Sequence, residues 1–177
     1  QSRRAVGDPA DGDVELLEDG GRKTEDGGRK TEDGGRKTED GRRRTEEMAG
    51  KIASFEDLEV YQLALELQQE IFRISKAFPK DETYSLIDQV RRSSRSIGGN
   101  IGEAWAKRRY PAHFISKLSD SDGEQNETRH WLRSALLCGY MEEEAFNNLM
   151  TKCKSIGGML GNMMQHPDVW TPLECRK

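Results

Sequence analysis

The stretch that decides the fold is FEDLEVYQLALELQQEIFRISKAF, residues 55–78. Its apolar side chains recur every three or four residues, which is the spacing that places side chains on one side of an α-helix. They form two stripes. The first contains Leu58, Tyr61, Leu65 and Phe72, and the second contains Val60, Leu63, Leu67, Ile71 and Ile74. Two stripes predict a helix that is buried on more than one side.

The sequence also marks both ends of this helix. Ser54 and Asp57 stand three residues apart, as the two members of a capping box do at a helix N-terminus. Pro79 follows the stretch and predicts its end, because proline has no N–H to continue the helical hydrogen bonds.

Three further helical segments follow the first. The second is predicted at about residues 82–109, and the third at about residues 112–138, after Pro111. CGYMEEE, residues 138–144, supplies a glycine stop and an acidic start for the fourth. No segment alternates apolar and polar residues between hairpin turns. We therefore predict an all-α fold, an antiparallel up-down-up-down four-helix bundle in one domain at residues 48–177.

Residues 1–47 have a different composition. The unit DGGRKTE begins at residues 19, 26 and 33, and the variant DGRRRTE begins at residue 40. A coiled coil needs apolar residues at two positions of every heptad, and this unit has none. We predict a disordered N-terminal extension at residues 1–47. We also expect that the natural product begins at Met48; a tether or a nucleic-acid-binding arm is the functional alternative.

Charge and cysteine content exclude several classes of function. The formal net charge of −4 gives the chain no global attraction to nucleic acid, so such binding needs a local basic patch. Cys138, Cys153 and Cys175 are widely spaced and form no zinc or disulfide pattern. No apolar run reaches the length of a membrane span, and no signal peptide is visible. We expect a cytoplasmic protein without a membrane segment.

Three stretches carry a family resemblance. FEDLEVYQLALEL, FPKDETYSLIDQVRRSSRSIGGNIGEAWAKR and LLCGYMEEE, in this order, resemble the four-helix-bundle proteins encoded in intervening sequences of bacterial 23S rRNA genes. The resemblance covers about residues 54–165. It implies a homopentamer of four-helix subunits. A related branch is the accessory variability protein of diversity-generating retroelements, which implies a nucleic-acid-binding partner of a reverse transcriptase.

Glycines interrupt the second predicted helix at positions 98, 99 and 102. A phosphate-binding glycine loop joins a strand to a helix and is followed by a Lys-Ser or Lys-Thr pair, and both features are missing here. We therefore interpret Gly98 and Gly102 as the site of a kink or of a close helix contact.

Basic residues are concentrated on the same helix. The candidate nucleic-acid-binding residues are Arg91, Arg92, Arg95, Lys107, Arg108 and Arg109, with Arg129 and Arg133 of the third helix. Two interpretations stay open. The residues form a solvated or salt-bridged helix face, or they bind the phosphate backbone of RNA or DNA without sequence preference.

No catalytic, cofactor or metal site is predicted. Glu127 and His130 form the only Glu-x-x-His pair, with Glu124 one turn earlier, whereas a di-metal bundle needs two such pairs and two further glutamates. His113 and His166 do not complete a set. We interpret Glu124 and Glu127 as partners of arginines across helices or across subunits.

The sequence therefore predicts a non-enzymatic oligomeric bundle without cofactors. The predicted oligomer interface is the second apolar stripe, which consists of Val60, Leu63, Leu67, Ile71 and Ile74. The alternative is a nucleic-acid-binding accessory factor of a retroelement reverse transcriptase.

Overall fold

The computed structural model describes residues 52–175, and all regular secondary structure in that range is helical. The main helices are α1 at Glu59–Ile74, α2 at Asp88–Lys107, α3 at Pro111–Leu137 and α4 at Glu143–Gln165. A short helix, α5 at Pro167–Trp170, follows them. The predicted all-α fold is confirmed. The extension predicted at residues 1–47 lies outside the described residues.

The predicted capping box is present at the start of α1. The backbone N–H of Ser54 donates to Asp57 Oδ2 at 2.8 Å, and the backbone N–H of Glu56 donates to Ser54 Oγ at 3.3 Å. These bonds close a 3-10 turn at Phe55–Asp57, immediately before α1. The side chains thus satisfy backbone donors that have no partner within the helix.

The connection between α1 and α2 departs from the prediction. Helix 2 was expected to begin near Glu82, but α2 begins at Asp88. Phe78 is extended before Pro79, as proline requires of its predecessor. A 3-10 turn at Lys80–Glu82 and a π-helical turn at Thr83–Ile87 then lead into α2. The apolar positions of these turns, Leu86 and Ile87, are buried.

Consecutive helices are antiparallel, because contacts at higher residue numbers of one helix fall on lower numbers of the next. The contacts that establish this are Tyr61–Gly98 and Ser75–Arg91 for α1 and α2, Glu103–Lys117 and Ser93–Thr128 for α2 and α3, and Gln125–Cys153 and Arg133–Phe146 for α3 and α4. Helix α4 also packs against α1, which closes the four-helix bundle.

The core corrects the predicted oligomer interface. Val60, Leu67 and Ile71 are buried inside the subunit, and Leu63 and Ile74 are half-buried against the same core. The second stripe therefore faces inward, and its three buried members are inaccessible to another copy. Ala64 is also buried, so the side chains at positions 60, 64, 67 and 71 form one continuous row on the helix. This row, and not the first stripe alone, packs into the core of the subunit.

Polar side chains occupy the centre of the α3 core face. Ser121, Gln125 and Thr128 are buried within the polar middle of α3. Ser121 Oγ donates to the carbonyl of Ile97 at 3.0 Å, and Gln125 Nε2 donates to the carbonyl of Cys153 at 2.9 Å. Thr128 Oγ1 lies 3.0 Å from Ser93 Oγ and 2.8 Å from the carbonyl of Glu124. Because these groups are hydrogen-bonded, the bundle accepts them in its interior.

Two connections meet at one end of the bundle. Gly139 has a φ of 71°, the left-handed conformation that commonly ends a helix, and it follows α3 as predicted. Tyr140 follows it and packs against Phe78 of the α1–α2 connection, with ring centroids 5.8 Å apart.

Within residues 52–175, none of the helices has the length and apolar character needed to cross a bilayer.

Candidate interaction surface

Three cationic side chains converge on one aromatic ring between α1 and α2. Lys76 Nζ lies 4.5 Å from the centroid of the Phe72 ring, and Cζ of Arg91 and Arg95 lie 5.0 and 5.7 Å from it. Arg91 Nε also donates to Ser75 Oγ at 2.7 Å, which fixes that guanidinium beside the ring. Attraction between cations and the ring face holds the three charges together at the surface.

Carboxylates do not neutralise this cluster within the described part of the chain. None of the ion pairs among residues 52–175 involves Lys76, Arg91 or Arg95. The cluster is therefore an electropositive site with an apolar centre. Such a site suits a partner that is both anionic and apolar.

A groove continues from the cluster along α1 and α2. It has a volume of about 270 Å³, and its lining residues are Phe55, Tyr61, Leu65, Gln68, Arg95, Gly98, Gly99 and Gly102. Leu65 is 42 % exposed, which is unusual for a leucine in the middle of a helix of this bundle. We call the surface formed by Tyr61, Leu65, Phe72, Arg91 and Arg95 the α1–α2 face.

The glycines of α2 form the floor of this groove. A Cβ at Gly98 would lie 3.4 Å from the Tyr61 ring, and one at Gly102 would lie 3.6 Å from the Phe55 ring. The two rings contact each other edge to face, with centroids 4.9 Å apart and an interplanar angle of 88°. The predicted close contact is thus made by aromatic rings and not by another backbone, and α2 is helical through all three glycines.

The basic residues at the end of α2 lie apart from the Phe72 cluster and have partners of their own. Lys107 pairs with Glu103 at 3.7 Å, and Arg109 pairs with Glu174 at 3.2 Å. Arg108 stacks on Trp105, with Cζ 4.1 Å from the ring centroid. Lys107 and Arg109 thus fit the salt-bridged alternative, and the charge of Arg108 has an aromatic partner on its own helix.

The arginines of α3 also lie elsewhere. Arg129 donates to Asn126 Oδ1 at 2.9 Å, and Arg133 lies over the Phe146 ring of α4 at 5.2 Å. The charge of Arg129 partly offsets the raised pKa of the Cys153 thiol of α4, so both arginines lie on the α4 side of α3. Arg92 is exposed on the α3 side of α2, near Glu124. The eight predicted nucleic-acid-binding residues thus do not form one patch. Of the eight, the structure places Arg91 and Arg95 together at the Phe72 ring. It adds Lys76, which the sequence analysis did not identify.

An acidic surface lies on the α2-facing side of α3. Burial raises the pKa of Glu124, as do the negative charges of Glu127 and Asp120, whereas Arg92 opposes the shift. Glu127 Oε1 accepts a hydrogen bond from Trp131 Nε1 at 3.0 Å. We call Glu124, Glu127 and Trp131 the α3 acidic face. Repulsion between its carboxylates favours the approach of a cation.

Glu127 and His130, the Glu-x-x-His pair, contact Trp131 and belong to no group of metal ligands among the described residues. His130 is exposed, and its ring lies edge-on to Trp131 with centroids 4.8 Å apart. No group of three potential metal-ligating side chains occurs among the described residues. Trp131 itself was missed at the sequence level, although its spacing of four residues from Glu127 was a usable signal.

Comparison with known proteins identifies the family. The family model of the 23S rRNA-intervening sequence protein matches residues 56–162. A solved structure from Bacteroides thetaiotaomicron, described as a protein with unknown function from the S23 ribosomal protein family, is similar at 28 % identity and a TM-score of 0.55. The similarity covers 60 % of this chain and 95 % of that chain. The comparison with curated proteins gave no match. The chain belongs to the 23S rRNA-intervening sequence protein family.

Proposed function

We propose that the protein is a non-enzymatic assembly module that associates with further copies of itself. The observation that carries this proposal is the α1–α2 face, where Leu65 is 42 % exposed beside the half-buried rings of Tyr61 and Phe72. Aromatic residues and arginine are enriched at the centres of protein interfaces. A surface that combines them with an exposed leucine is typical of a contact that a partner covers.

A closed ring of five copies is the specific assembly proposed. The family resemblance supports the number five, and the exposed α1–α2 face supplies a contact surface on every copy. The proposal places the protein in the cytoplasm, in agreement with the free thiols of Cys138, Cys153 and Cys175. It requires no cofactor and no catalytic residue.

Size-exclusion chromatography of two matched variants tests the proposal. Leu65→Glu introduces a carboxylate at the centre of the α1–α2 face and should shift the protein to the elution volume of a monomer. Leu137→Glu makes the same chemical change at a leucine that is 81 % exposed at the end of α3, and it should elute like the unmodified chain. If both variants elute as the unmodified chain does, the α1–α2 face is not the contact.

Nucleic-acid binding is the second candidate function, in the form of an accessory factor of a retroelement reverse transcriptase. The observation that favours it is the Phe72 cluster, whose three cations have no carboxylate partner within residues 52–175. Basic residues beside a half-buried aromatic ring suit single-stranded nucleic acid, because phosphates bind the charges and bases stack on rings.

Binding of a single-stranded RNA oligonucleotide at several salt concentrations tests this candidate. Affinity should fall steeply with salt, and the double variant Arg91→Glu, Arg95→Glu should bind at least tenfold more weakly. Arg109→Glu is the matched control, since Arg109 is paired with Glu174 away from the cluster. Absence of binding at low salt would exclude this function.

A further inference from the structure

Several carboxylates of the described residues already have a cationic partner in their own subunit. Glu66 and Glu70 share Lys152, at 3.3 and 2.7 Å. Glu103 and Asp120 share Lys117, at 3.1 and 3.0 Å. An incoming cation would have to compete with these lysines. Such surfaces are therefore poor partners for the Phe72 cluster.

The α3 acidic face differs from these pairs. Within residues 52–175, neither Glu124 nor Glu127 forms an ion pair at salt-bridge distance, and the two carboxylates repel each other. Trp131 is half-buried beside them and adds an apolar surface in the same helical register. This face is thus anionic and apolar, which is the chemistry that the Phe72 cluster and Leu65 complement.

We propose that the α1–α2 face of one copy docks on the α3 acidic face of a second copy. Arg91 and Arg95 then approach Glu124 and Glu127, while Leu65 and its aromatic neighbours cover Trp131. The inference rests on the proposed self-association and names the surface that the α1–α2 face contacts. Complementary charge fixes the register of such a contact, and the buried aromatic groups supply its affinity.

The positions of the two faces fit a closed ring. Each of α1 to α4 packs against the next and α4 packs against α1, so the helices stand at the corners of a square. The α1–α2 face occupies one side of this square. The α3 acidic face borders the adjacent side, where Lys117 of α3 reaches Glu103 of α2. Adjacent sides of a square are inclined to each other, and head-to-tail contacts between such inclined faces generate a ring where the rotation closes.

Charge reversal on each face tests the inference. Arg95→Glu and Glu127→Lys should each weaken subunit association by about tenfold or more, because like charges then face each other. An equimolar mixture of the two variants should associate more strongly than either variant alone, since each contact between unlike variants pairs opposite charges. A ring of five then keeps at least one contact between identical variants, so recovery should be partial. Light scattering measures both effects, and circular dichroism verifies that each variant is folded.

Two controls and a second pair of variants keep the test decisive. Arg109→Glu and Glu144→Lys reverse exposed charges outside both faces and should leave the mass unchanged. If a charge-reversed variant is unfolded, Arg95→Ala and Glu127→Gln replace the pair and should each weaken association. Loss of assembly in Leu65→Glu without any effect of Glu127→Lys would overturn this docking and leave self-association standing. Loss of RNA binding in Arg95→Glu with an unchanged mass would assign the cluster to nucleic acid and also overturn it.

Discussion

The hydroxyl of Tyr140 donates a hydrogen bond to Glu82 Oε1 at 3.1 Å and so joins the α1–α2 connection to the α3–α4 connection. Glu82 also accepts from the hydroxyl of Ser85 and, at 3.3 Å, from the backbone N–H of Leu86. One carboxylate thus organises the turn before α2 and fixes it to the turn before α4. The residues lie within the stretches that carried the family resemblance, and their role in this end of the bundle is structural.

The first prediction concerns the pH dependence of stability at Glu82. The hydroxyl of Ser85, then the N–H of Leu86 and the hydroxyl of Tyr140 hold the pKa of Glu82 below its ordinary value of 4.5. A lowered pKa stabilises the fold above the ordinary pKa, and this contribution is lost as the pH falls through the folded-state pKa. Glu82→Gln should therefore melt below the unmodified chain at neutral pH, and the two melting temperatures should converge as the pH falls from about 6 to about 3. A difference that stays constant over this range would contradict the role of the ionised carboxylate.

The second prediction compares two leucines that are two residues apart on α1. Leu67 is 0 % exposed and Leu65 is 42 % exposed. A glutamate at position 67 would bury an unpaired carboxylate, which costs several kcal/mol, and Leu67→Glu should be largely unfolded. Leu65→Glu should remain folded and within about 1 kcal/mol of the unmodified subunit. Thermal denaturation followed by circular dichroism measures both. If Leu67→Glu folds as well as Leu65→Glu, the inward orientation of the second stripe is wrong.

The third prediction compares two glycines. Gly99 lies within α2, and an added Cβ would meet nothing within 4 Å, so Gly99→Ala should stabilise the protein by about 0.5–1 kcal/mol. Gly139 has a φ of 71°, so Gly139→Ala should destabilise it by about 1 kcal/mol although the space around it is open. Denaturant unfolding gives both free energies. Changes of the same sign would refute the assignment of these backbone conformations.

The fourth prediction concerns thiol reactivity. Burial raises the pKa of the Cys153 thiol to about 12, so this group is protonated at neutral pH. The thiolate is the reactive form, and iodoacetamide should therefore leave Cys153 unmodified in the folded protein and modify it after unfolding. Cys138 is exposed and should react in the folded protein. Peptide mass spectrometry identifies the labelled residues, and rapid native labelling of Cys153 would show that the α3–α4 packing is wrong.

Local signals predicted most of the fold. Ser54 and Asp57 marked the start of the first helix, Gly139 marked the end of the third, and apolar periodicity defined the segments between them. The inward stripe of α1 was assigned wrongly because both stripes have helical spacing, and orientation depends on packing against the other helices. Ala64 was the overlooked residue, since its small side chain is buried as completely as its larger neighbours.

The candidate site was less predictable than the fold. Sequence spacing identified Arg91 and Arg95 as members of one helix face, which the structure places over Phe72. Lys76 joins them from α1, and a contact between two helices has no signature in the spacing of either one. The sequence also grouped Arg91 and Arg95 with three basic residues at the end of the second predicted helix, Lys107, Arg108 and Arg109. The local partners of these three residues became visible only in the folded chain.

Multi-angle light scattering on the unmodified chain at micromolar concentration tests the central claim, self-association through the α1–α2 face, most directly. The account predicts a molar mass about five times the monomer mass of 20.1 kDa. A different closed ring would change the number of copies and keep the contact. A molar mass near 20.1 kDa at that concentration would contradict the claim.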